Sequence, residues 1–230
     1  MRVRLGYGVG FLELEVGQRA SLILPRELPA AGPGEIERSL DSPIGKGLEE
    51  LGGCRSASIL VSDITRPAPT HLMLPPLARR LRQLGISEIT IVFALGTHRR
   101  MTEEEERQLL GDCISMPHIQ HDTSSCTHLG ETRRGTPVEI LEAAASSDLI
   151  IGTGNIEYHY YAGYSGGAKS LLPGISSERS VVRNHELMRD PRSVTGRLDS
   201  PVREDMEEAA RIAGLDLILN VVCLLYTSDA

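Results

Sequence analysis

Tryptophan is missing from this 230-residue chain, aromatic residues make up 3% of it, and its four cysteines, Cys54, Cys113, Cys126 and Cys223, form no CxxC pair. That cysteine pattern fits neither a disulfide framework nor a zinc ribbon, so the thiols are read as buried or incidental. No apolar run approaches the roughly 20 residues of a membrane-spanning helix. The start Met1-Arg-Val-Arg-Leu-Gly-Tyr7 also lacks the continuous apolar core of a secretory signal. The expected location is therefore the cytoplasm, with no membrane partner. Cations are outnumbered, 24 Lys and Arg against 31 Asp and Glu, for a net charge of -7. With so few aromatics, that balance argues against a nucleic-acid surface, which needs clustered positive charge. A locally positive pocket for a small anion is still compatible with it, and Arg66, His98, Arg99, Arg100 and Lys169 are candidates to line one.

What is present is a 40% hydrophobic content and a length sufficient for a sizeable core. Leu12–Val16 and Ala20–Pro25 read as an opening hairpin. Glu35 to Leu51 favours helix but is interrupted by Pro43. The apolar runs Ala57–Ser62, Glu88–Leu95, Asp148–Gly154 and Leu215–Val222 read as strands, the first as a buried parallel one. Between them the pattern predicts helices over Pro75–Leu84, stopped by Gly85, and after Thr102, whose hydroxyl can cap the run Glu103–Glu106. Further helices are predicted from Ser177 through His185 and over Pro201–Ala213. Ser115–Thr127 reads as irregular, and Val138–Leu141 as strand-like. This is an α/β pattern, Rossmann-like with a mostly parallel sheet. In such sheets ligands gather outside the carboxyl ends of the strands, and Asp63, His98 and His159 each follow an apolar run within about eight residues.

The segment from Gly154 to Gly174 places His159 ten residues before Lys169, and His185 follows sixteen residues after that lysine. Glycines 163, 166, 167 and 174 are expected to let the backbone approach a bulky ligand. Lys169 is a candidate covalent anchor. The imidazoles suit both acid/base work and a borderline metal. By residue type alone, Asp63 reads as part of a turn with Arg66 in a salt bridge, and His71, His118, His121 and His128 as ordinary structural histidines.

Three stretches in order, Ser62-Asp-Ile-Thr-Arg-Pro-Ala-Pro69, Ala94-Leu-Gly-Thr-His-Arg99 and His159 to Gly174, resemble motifs of the nickel-dependent lactate racemase family. The resemblance runs from about Leu12 to Val222. It implies racemisation or epimerisation of a small 2-hydroxy acid, with the cofactor supplied by dedicated biosynthesis enzymes. By position, Lys169 matches the lysine that carries a nickel-pincer pyridinium mononucleotide through a thioamide, and His185 matches the nickel ligand. His98 and His159 match the two acid/base histidines. Arg66 matches the carboxylate-binding arginine, with Asp63 in the same loop. Ser165, Gly166, Gly167 and Ser170 are candidates to cradle the cofactor phosphate. Residues 1–222 are expected to form one N-terminal domain, with most of a second α/β domain absent and 223–230 a tail outside the family pattern. The alternatives are a non-catalytic nucleotide- or cofactor-binding module and a zinc hydrolase, although no HExxH set supports the latter.

Overall fold

Arg2–Tyr7 (β1) and Gly10–Glu15 (β2) pair antiparallel, from Arg2 opposite Glu15 to Tyr7 opposite Gly10. The hairpin thus uses the strand expected near Leu12, but its partner precedes it in the chain. Of the expected second strand Ala20–Pro25, only Ser21 lies within the described residues. The computed structural model describes residues 2–7, 10–17, 21, 31–32 and 34–222. The chain divides into two compact units, Gly32–Cys223 and the remainder.

Within the larger unit the helical pattern after Glu35 stops at Asp41 (α1, Glu35–Asp41), because a residue before proline is pushed out of the helical region and Pro43 follows closely. Ser56–Ser62 (β3) then runs into the centre of the fold. The next helix, Thr70–Gln83 (α2), starts five residues before the expected Pro75 and carries Pro75 and Pro76 inside it. Burial of Thr70, Met73, Leu74, Leu77 and Leu81 offsets the helical hydrogen bonds those prolines cannot donate. Glu88–Ala94 (β4) follows, then Glu103–Leu110 (α3). At its start Thr102 Oγ1 accepts from the Glu105 amide at 3.3 Å while the Glu105 carboxylate accepts from the Thr102 amide at 2.9 Å.

The polar stretch Ser115–Thr127, read as irregular, holds the strand His118–Gln120 (β5) and the first two residues of Cys126–Glu131 (β6). Their short length and polar content hid them, since β5 is specified by pairing with β4 and not by an apolar run. Pro137–Leu141 (β7) pairs antiparallel with β6 and leads through Glu142–Ala145 (α4) into Leu149–Ile156 (β8). Tyr158–His159 (β9) and Gly163–Tyr164 (β10) form a small antiparallel pair. Glu178–Glu186 (α5), Pro201–Ala213 (α6) and Leu215–Val222 (β11) complete the unit.

Five strands form one sheet in the order β11-β8-β3-β4-β5, and all four pairings are parallel. Alternate residues feed opposite faces, as the pleat requires. Ile59, Val61, Ile91, Phe93 and Ile151 pack with α2 residues such as Met73, Leu77 and Leu81. Leu60, Val92 and Ile150 pack with Leu171, Leu172, Val202 and Met206 on the other face. Both faces being covered explains why these strands read as continuous apolar runs. No helix among the described residues is long and apolar enough to cross a membrane.

Candidate functional site

The chain leaves β3 toward β4 and β5 on one side, then returns to β8 and β11 on the other. A crevice therefore opens at the carboxyl ends of β3 and β8, where connections diverge. A cleft of about 460 Å³ occupies that position. It is lined by Asp63 and Arg66 after β3, His98 after β4, His159 after β8, and Ser165, Gly166, Lys169, Ser170 and His185. Nine of the ten candidate residues thus meet in one place. Gly167 is the exception, as an added Cβ there would meet Arg203 and Ile218 at 3.7 Å.

Asp63 is 4% exposed, and its two carboxylate oxygens have separate partners. Oδ1 accepts from the Thr65 amide at 2.8 Å and from the Thr65 hydroxyl at 2.5 Å. Oδ2 lies 2.8 Å from His98 Nδ1. Burial alone would raise the Asp63 pKa, but the hydrogen bonds from Thr65 and His98 outweigh it and hold the carboxyl below its ordinary value. An ionised Asp63 fixes the proton of neutral His98 on Nδ1 and leaves Nε2 with a lone pair. Among the described residues the Arg66 side chain has neither an ion pair nor a hydrogen bond, so the expected alternative of a structural salt bridge is not what forms.

His159 differs. Its Nδ1 accepts from the Ala162 amide at 3.3 Å, so in the neutral ring the proton sits on Nε2. Burial, then the charges of Lys169, Arg66, His185 and Arg203, push its pKa down to about 4. Lys169 has no carboxylate within ion-pair distance among the described residues. Burial, then Arg66 and Arg203, lower its pKa to about 8, which gives a substantial neutral fraction near physiological pH. His185, on α5, is also lowered, first by burial and then by Lys169, with a hydrogen bond to the Val181 backbone opposing both.

Tyrosines tie these groups together. Four of the chain's six tyrosines fall between residues 158 and 164. Tyr160 stacks on His159 with ring centroids 5.0 Å apart. Tyr161 meets His159 edge-on at 4.6 Å and His185 at 5.1 Å. The run Tyr158-His-Tyr-Tyr161 was the available sequence signal for this, and sequence reasoning passed over it. It also missed Asn155, which lines the cleft at 3% exposure, and the buried Arg203 behind it. His71, His118 and His128 stand outside the cleft, and His121 gives its Nε2 to the Ser176 carbonyl at 2.9 Å.

Two of the loop glycines have a cause within the chain itself. A Cβ on Gly174 would lie 2.0 Å from the Ser170 carbonyl oxygen, and one on Gly163 would lie 1.9 Å from that of Arg197. Both residues are therefore required by the chain's own backbone. Gly174→Ala should cost about 1–3 kcal/mol or more through overpacking. The expected reading is a lower denaturant midpoint at unchanged slope, and a parent-like midpoint would show that the Ser170 turn can yield. The phosphate-cradle hydroxyls are likewise engaged within the chain: Ser165 Oγ donates to Asn155 O at 2.8 Å and Ser170 Oγ to Gly167 O at 2.9 Å.

Comparison with known proteins follows the same outline. The lactate racemase from Lactiplantibacillus plantarum is 42% identical over 198 residues, covering 81% of this chain and 47% of the relative. The lactate racemase from Thermoanaerobacterium thermosaccharolyticum is 37% identical over 198 residues, again over 81% of the chain. The chain thus spans about half the length of these curated relatives. Among solved structures, the lactate racemase apoprotein from the same Thermoanaerobacterium superposes with a TM-score of 0.86 at 33% identity, covering 96% of this chain and 56% of that one. A Thermotoga maritima protein superposes with a TM-score of 0.69 at 25% identity over 83% of the chain. The family model described as the lactate racemase N-terminal domain matches residues 7–196, and the chain belongs to that family.

Proposed function

We propose that this cleft is the cofactor-bearing half of a nickel-dependent 2-hydroxyacid racemase or epimerase. The observation that carries the reading is the convergence of an unpaired lysine, an unpaired arginine and three histidines on one crevice of an otherwise acidic chain.

The residues suit a nickel-pincer pyridinium mononucleotide. Lys169, partly neutral and free of a counter-ion, fits covalent attachment by its amine. His185 brings a half-buried imidazole to the cleft, and no group of three or more His, Cys, Asp or Glu among the described residues is placed to hold a metal. A single protein imidazole therefore suits a metal that receives its other donors from a bound organic group. When bound, the cofactor would supply reversible uptake of hydride from the substrate Cα.

The chain's own groups do the rest. Arg66 offers a planar pair of donors to the substrate carboxylate, fixing the hydroxyl-bearing carbon in the cleft. His98, with Nδ1 committed to Asp63, presents Nε2 to accept the hydroxyl proton. His159 presents an Nε2 proton, so the two imidazoles begin with opposite polarity. Loss of the hydroxyl proton and the Cα hydride leaves a planar 2-keto acid, and return of hydride to the opposite face, with a proton on oxygen, gives the other enantiomer. Binding, orientation and proton movement are the protein's contribution, and the hydride chemistry is the cofactor's.

The test joins this chain to the second half of the Thermoanaerobacterium lactate racemase and produces it with the enzymes that make the cofactor. Each enantiomer of lactate and other 2-hydroxy acids is supplied, and products are resolved on a chiral column. Interconversion in both directions is expected. Conversion of none of them by a nickel-loaded hybrid would exclude the proposed activity.

A further inference from the structure

Helix α6 grips the cleft from behind at three points. Ser200, just before its first turn, donates to the Tyr161 carbonyl at 2.7 Å. Asp205, fully buried, accepts from Thr132 Oγ1 at 2.6 Å and from Asn184 Nδ2 at 2.8 Å, and Asn184 directly precedes His185. Between them stands Arg203, 5% exposed. Its Nη1 donates to the Gly166 carbonyl at 3.1 Å, and its Nη2 to the carbonyls of Tyr164 at 2.5 Å and Ser165 at 3.1 Å.

Three consecutive carbonyls are thus held by one guanidinium. They belong to the loop in which Gly166 and Gly167 both adopt positive φ, 72° and 59°. Lys169 closes the short turn that follows, with its amide bonded to the Gly166 carbonyl at 3.2 Å. Among the described residues Arg203 has no ion-pair partner, and only Glu207 exerts an opposing field on it. Burying a cation without a paired carboxylate is costly, and an apolar side chain would serve packing alone at lower cost. The fork geometry is what three adjacent carbonyls use. Arg203 also places positive charge behind Lys169 and His159.

We propose that Arg203 is a positioning residue for Lys169, clamping the Tyr164–Gly166 carbonyls so that the Lys169 amine is held in the cleft without an ion partner. The inference deepens the reading of Lys169 as a cofactor anchor and rests on it.

The chain contains only two lysines, Lys169 and the exposed Lys46, so Lys46 is an internal reference. Trace labelling with acetic anhydride across a pH series, read by peptide mass spectrometry, gives the titration midpoint of each amine. In the parent, Lys169 is expected at about 8. In Arg203→Gln, loss of the neighbouring charge and of the clamp should raise that midpoint by about one unit, with Lys46 unmoved. Thr132→Val removes a buried hydrogen bond from the same helix without touching the loop, and should keep the parent midpoint. If Arg203→Gln does not fold, Arg203→Lys retains the charge but one ammonium cannot span three carbonyls, so an upward shift is expected there too. A parent-like Lys169 midpoint in whichever of these variants folds overturns the proposal. Because labelling needs no cofactor, a chain that shows the shift yet never acquires an adduct would overturn the anchor reading and leave the clamp standing.

Discussion

Asp63→Asn should lower racemisation by about 10²- to 10⁴-fold, with little change in the apparent affinity for substrate. The effect depends on which oxygen is replaced. Asp63 Oδ1 takes two donors from Thr65, so an asparagine keeps its carbonyl oxygen there and turns its amide nitrogen toward His98. That nitrogen donates where Oδ2 accepted. His98 Nδ1 must then accept, the ring proton moves to Nε2, and the lone pair facing the cleft is lost. Shape and volume barely change, so the melting temperature should fall far less than the rate. His98→Ala should give a loss of similar size, and the double variant should be little worse than either alone, because the two residues act as one unit. Steady-state kinetics on the hybrid enzyme, in both directions, decides the matter. A parent-like turnover number in Asp63→Asn would remove the base role from His98.

The second large effect concerns loading. Lys169→Ala should abolish the covalent mass increment, and with it nearly all retained nickel, since the buried cleft would lose its one lysine amine. His185→Ala should separate the two: the adduct on Lys169 persists while nickel content falls steeply. The fold should tolerate this change, because the neighbouring Asn184, not His185, makes the hydrogen bonds to Val202 O and Asp205 that hold α5 against α6. Elemental analysis alongside peptide mass mapping reads both quantities. Equal nickel in His185→Ala and the parent would exclude the ligand role.

The parallel sheet was legible because β3, β4, β8 and β11 are buried or half-buried strands whose apolar runs survive without their neighbours in view. The convergence of Asp63, His98 and His159 was legible for the same reason, as each follows the end of such a strand and β8, β3 and β4 are adjacent in the sheet. The three-residue β5 was hidden because its pairing with β4, not its composition, makes it a strand. The start of α2 was hidden by two prolines that local rules treat as a beginning. Within the site, residue types pointed to the proposed roles of Arg66 and Lys169 only with the family resemblance beside them. The Asp63 to His98 pairing spans 35 positions, and the Arg203 clamp 37 to 39, so both depend on tertiary contacts that no local pattern encodes. The glycines misled in an instructive way. Positions 163 and 174 look like room for a ligand, but the space is taken by the carbonyls of Arg197 and Ser170.

One measurement bears most directly on the central claim: the mass of the Lys169 peptide, with nickel counted on the same sample, for the hybrid chain produced with and without the cofactor-making enzymes. The account predicts an added mass on Lys169 only when those enzymes are present, together with nickel in proportion to it. An unmodified Lys169 in a preparation that racemises 2-hydroxy acids would contradict it.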